Sequence, residues 1–136
     1  MAKSRQFIFA KKTSALTVFG TMLIMTLILL SACGDSGSSI VGRWDAISIG
    51  WVEGGETFTE DVEEGEFILE FFSDGNGAEI EGGRTDSFTW SAENGRLMMT
   101  LGRDTVLADY NISGSTLTIA VEESRGTEIV TFRRAN

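Results

Sequence analysis

Two places in this chain carry side chains that could do chemistry. One is the lone thiol, Cys33, reached directly through Leu30-Ser31-Ala32. With no second cysteine among 136 residues it forms no internal disulfide, so its chemistry is that of a single nucleophile. The other is the stretch from Val52 to Glu66, which holds Glu53, Glu56, Glu60, Asp61, Glu63, Glu64 and Glu66 and no base. Carboxylates at that density favour a cationic ligand, a basic protein partner or a hard cation held by oxygen. The same acids also read as a solvated loop that keeps the protein soluble. No EF-hand spacing accompanies them. Asp74-Gly75-Asn76-Gly77 opens like a calcium loop, but the later ligands do not follow, so no metal and no cofactor is expected. The chain has no histidine, which removes Ser-His-Asp triads, His-based proton transfer and zinc sites built on His. Twenty acids make chance carboxylate pairs unavoidable, and nothing sets two of them around a cleft. No catalytic residue is expected, and the chain is read as a non-enzyme.

The segment that must deliver Cys33 is basic and then apolar. Lys3, Arg5, Lys11 and Lys12 precede a nearly unbroken apolar run from Ala15 to Leu30. At 16 residues the run is shorter than the roughly 20 a membrane-spanning helix needs. It suits the helical apolar part of a secretory signal. Here Leu30-Ser31-Ala32-Cys33 resembles the lipobox of bacterial lipoprotein signal peptides. The resemblance implies diacylglyceryl transfer to the Cys33 thiol and cleavage after Ala32; the alternative is an uncleaved anchor carrying an ordinary thiol. It also implies attachment to the bilayer on the extracytoplasmic face, through two or three acyl chains where one alone would hold only marginally. Whether that bilayer is an inner or an outer membrane stays open.

Beyond Cys33 the charge reverses. Four of the eleven bases precede the apolar run and none of the twenty acids does, which leaves seven arginines against twenty acids, a net charge of −13. Such a body is repelled by nucleic acid and by anionic headgroups, so nucleic acid is excluded as a partner. Gly34 to Ser39 reads as a polar spacer. The expected division is a signal peptide over 1–32, lipidated Cys33 with its spacer over 33–39, and one domain over 40–136.

That domain reads as all-β. Apolar residues alternate in short runs, as in Phe67, Leu69, Phe71 and Leu97, Met99, Leu101, and glycine-bearing turns separate them. Eight strands are expected, near 41–51, 67–72, 77–81, 86–92, 96–101, 105–112, 115–122 and 127–133. Joined by tight turns, they form an antiparallel up-and-down meander, which most readily closes into an eight-stranded barrel without free edges. Gly42-Arg43-Trp44 in the first strand and Arg133-Arg134 ending the last resemble the lipocalins. There a Gly-x-Trp opens strand one and a late arginine packs over the indole. The carried-over residues are Gly42, Trp44 and one of Arg133 and Arg134, and they imply closure of one barrel end. The resemblance also implies that residues 52–66 form a loop over an open mouth. Trp51, Phe58, Trp90, Met99 and Tyr110 would then line a pocket for a small apolar or cationic ligand. Alternatively these residues fill a packed core, and the acidic surface docks a basic partner protein.

Overall fold

The computed structural model describes residues 39–136. Cys33, its Leu30-Ser31-Ala32 approach and the signal helix expected over 1–32 lie outside the described residues. Within 39–136 every regular element is a strand: β1 (Gly42–Glu53), β2 (Glu56–Asp61), β3 (Phe67–Phe71), β4 (Asn76–Glu81), β5 (Arg84–Glu93), β6 (Arg96–Leu101), β7 (Asp104–Ser113), β8 (Thr116–Glu123) and β9 (Gly126–Arg134). All pairings are antiparallel. β3 to β9 run up and down in chain order, and β1 joins β3 on one edge and β9 on the other. Eight strands therefore close an up-and-down barrel. The expected architecture is the observed one.

The turns follow from residue type. Asn94 (φ 51°) and Gly95 (φ 77°) supply the two left-handed residues that a two-residue hairpin needs. The same chemistry overturns one expectation. Residues 52–66 are not a long lid loop, because Gly54 (φ 60°) and Gly55 (φ 84°) turn the chain tightly back. Thr57, Phe58 and Thr59 then extend as β2 along Ser48–Glu53. β2 pairs with β1 alone, and all six of its residues are exposed. It is a flap continuing the barrel wall beyond β3.

Register decides which side chains enter the barrel. Trp44 and Ala46 point inwards, fully buried, until the β1–β9 pairing slips by one residue between Ala46 and Ser48. That β-bulge at Ile47 reverses the alternation, so Ile49 and Trp51 take the inward face. The carbonyl of Ile47 accepts a bond from the Val62 N–H at 3.0 Å, which ties the flap's return to the bulge. Inside, Trp44, Phe67, Leu69, Phe71, Leu97, Met99, Leu117, Ile119, Val130 and Phe132 are each under 2% exposed. Phe71 meets Phe88 and Trp90 edge-on, with centroids 5.5 and 5.3 Å apart. Gly77 leaves room for the Phe88 ring, which a Cβ there would strike. The apolar interior is thus occupied by the protein's own side chains.

Candidate functional site

The two ends of the barrel differ in chemistry. At the end where β1 begins, the Trp44 indole N–H donates to the Ile40 carbonyl at 2.8 Å, and the Arg134 guanidinium lies 4.1 Å above the ring. Arg134 also donates to the carbonyls of Val41 (3.0 Å) and Ser39 (2.7 Å). Gly42 is needed there, since its φ is 132° and a Cβ would come within 2.7 Å of the Arg134 Nη1. Of the two arginines the sequence offered, Arg134 covers Trp44; Arg133 is exposed, opposite Asp45 across the β1–β9 pair. This end is a plug, satisfied in its hydrogen bonds.

The opposite end carries the β1–β2, β4–β5, β6–β7 and β8–β9 turns, and here the inward face turns polar. Across the sheet, Phe58 on β2, Trp51 on β1, Glu128 on β9 and Val121 on β8 form one row of facing residues. Phe58 is 53% exposed and Trp51 half-buried, whereas Glu128 is only 3% exposed. Its Oε1 has no hydrogen-bond partner among the described residues. Burial pushes the Glu128 carboxyl up to about 7, the Glu123 charge adds to this, and a hydrogen bond from the Trp51 side chain works against it.

A second carboxyl enters from β4. Glu79 shares a cross-strand row with Trp44, Leu69 and Asp86, so it too points inwards; it is 5% exposed and its Oε2 has no partner. Burial raises it to about 7, helped by Glu81 and Asp86 and opposed by Arg84. At the rim Arg84 turns to Asp86 at 3.0 Å, with the arginine largely in water and the aspartate about half so. Glu81 also titrates above the usual carboxylate range, through partial burial and then Glu66.

The five residues expected to line one pocket therefore separate. Trp51 and Phe58 are cross-strand partners at the mouth. Met99 is core. Trp90 belongs to the other end, its indole N–H bridging the carbonyls of Asn76 (2.8 Å) and Phe72 (3.2 Å) across the β3–β4 turn. Tyr110 is half-buried opposite Ile119 in the β7–β8 pair. Glu79 and Glu128 were not among the expected residues. For Glu128 a signal was present, since counting back by twos from Phe132 through Val130 lands on it. For Glu79 the signal misleads: in Ala78-Glu79-Ile80-Glu81 hydropathy would turn Ala78 and Ile80 inwards.

Two other acidic features suit a ligand less well. Among the described residues no group of three or more acids is placed to hold a metal ion. A groove of about 610 Å³ runs outside the barrel beside β1 and the chain's last residues, with Asp45, Asp61 and Glu64 set against Arg133 and Arg134. Its charges nearly balance, and it selects neither sign.

What the mouth offers is a desolvated carboxylate with one free oxygen beside two accessible aromatic rings. Ammonium groups are held by that combination, through a charge-assisted hydrogen bond and the negative faces of the rings. Compared with known protein families, with curated proteins and with solved structures, the chain gives no match in any of the three.

Proposed function

We propose that this chain is a lipid-anchored extracytoplasmic lipoprotein whose barrel binds a small cationic ligand at its β2-bearing mouth without converting it chemically. The observation that carries the binding is Glu128, buried with an unpartnered Oε1 in the Phe58–Trp51 row. Leaving such an oxygen unpaired costs about 1–3 kcal/mol, more when it is charged, and a ligand's N–H recovers that cost. An apolar ligand is the weaker choice, because core side chains already occupy the apolar interior. The lipocalin-like motifs agree with a ligand at the mouth. The lipobox-like Leu30-Ser31-Ala32-Cys33 supports the anchor, which a body of net charge −13 would need to stay at an anionic surface.

Calorimetric titration of the full chain in detergent micelles with butylammonium at pH 8 tests the binding. Saturable binding is expected, weakened roughly tenfold or more in Glu128→Gln, a loss of about 1.4 kcal/mol. Absence of binding by any simple alkylammonium ion would overturn this reading. The anchor has its own test: Cys33→Ser should move the protein from the membrane to the soluble fraction or leave it as unprocessed precursor. Unchanged attachment and processing would remove the lipoprotein assignment.

A second reading follows from β2. Its outer edge carries the exposed Glu56 and Asp61, a surface suited to a basic partner protein. In that case neutralising the flap acids, and not Glu128, would abolish the interaction.

A further inference from the structure

Resting on that reading of the mouth, we infer that the ligand is a dication, with one cationic group held by Glu128 and the other by Glu79. The mouth holds two buried carboxylates, not one, and each has an oxygen without a partner. They enter from different walls. Around the closed ring the shorter path from β4 to β9 passes through β3 and β1, three steps out of eight. They also lie at matching depth: Glu79 is two residues from the Glu81 end of β4 and Glu128 two from the Gly126 end of β9, and both ends open on the same mouth.

Strands roughly 4.8 Å apart, tilted about 40°, close eight into a ring roughly 16 Å across. Two inward glutamates and the two N–H···O contacts they would make take up most of that width, so a chain joining them is short, at roughly two to three carbons. Trp51 and Val121 beside Glu128 give the middle of such a chain apolar contact. The surroundings of each carboxylate also argue for a cation. Glu79 is faced by Glu81 and Asp86, with Arg84 turned out to Asp86, and Glu128 is faced by Glu123 and the Trp51 indole. Among the described residues neither has a cation as a contact partner, so each lacks the pairing that buried charge ordinarily requires. One flexible molecule bearing two ammonium groups supplies both, and tethering makes the second contact intramolecular.

The test is a paired titration of the full chain in micelles at pH 8 with α,ω-alkanediammonium ions of two to eight carbons and with monoammonium ions of the same lengths. The expected result is a diammonium optimum at the short end, roughly two to three carbons, on the order of thirtyfold tighter than the matched monoammonium ion. In Glu79→Gln that advantage should shrink to about threefold or less while monoammonium binding persists. Equal affinity for mono- and diammonium ions at every length would overturn the dication and leave a single-site mouth intact. No binding by either series would overturn the mouth itself. The wild-type comparison needs no variant, so it stands even if a glutamine substitution perturbs folding.

Discussion

Replacing Trp44 by alanine should remove about 3–5 kcal/mol of folding stability, the range for truncating a buried aromatic to alanine. The indole is fully buried and lies under the Arg134 guanidinium, and its N–H is the bond partner of the Ile40 carbonyl. Truncation would open a cavity at the closed end, leave that carbonyl unpaired and remove the aromatic face on which Arg134 rests. For a domain of this size the loss corresponds to a fall in Tm of roughly 12 °C or more. Arg134→Lys should cost clearly less, since a lysine keeps the charge but loses the flat stacking and the fork that reaches Val41 and Ser39 together. Urea unfolding of the variants checks both. A Trp44→Ala effect below about 0.5 kcal/mol, the range of surface substitutions, would mean that this end is not what closes the barrel.

Stability should fall as pH rises from about 5 to 7.5. Glu79 and Glu128 are each raised from 4.5 to about 7, chiefly by burial. Between those two values the folded protein holds protons that the unfolded chain has released, so raising pH favours unfolding. The stabilisation is complete below about pH 4.5 and is lost as pH passes through 7, at up to about 1.4 kcal/mol per unit for each group. Together the two sites make a difference of a few kcal/mol. Glu81, shifted in the same direction, adds to it. Urea unfolding at pH 5.5 and 7.5 should show the drop in the wild type and little of it in the Glu79→Gln, Glu128→Gln double variant. Stability that is level or rising across the window would mean that these carboxyls are not held in a desolvated mouth. Because a bound cation favours their charged forms, ligand affinity should run the opposite way, weakening on acidification through pH 7 as protons compete for the same oxygens.

How much of this was legible in the chain differs from residue to residue. Strand and turn positions were, because alternation with period two and the left-handed angles of Asn94, Gly95 and their counterparts act within a few residues. So was the closure motif, apart from the choice of arginine. That choice needed β9 seated against β1, where Arg133 faces Asp45 and Arg134 faces Trp44. The acids of 53–66 drew attention by density, yet those on the flap strand are exposed, and the carboxylates of the candidate site lie elsewhere.

By itself, then, the sequence determined short alternating strands over residues 40–136, a basic and then apolar segment ahead of Cys33 and a strongly acidic stretch after it. Alternation states that a strand has two faces; it does not state which face is inside. The tertiary structure decided that. Pairing Leu69 with Glu79 and Phe71 with Gly77 turns Glu79 inwards against its local hydropathy, since β4 must follow the phase of its apolar neighbour β3. One extra residue at Ile47 reverses β1, so that Trp51 meets Glu128 on the inner face. Both events depend on partners distant in the chain, and the candidate site is made of them.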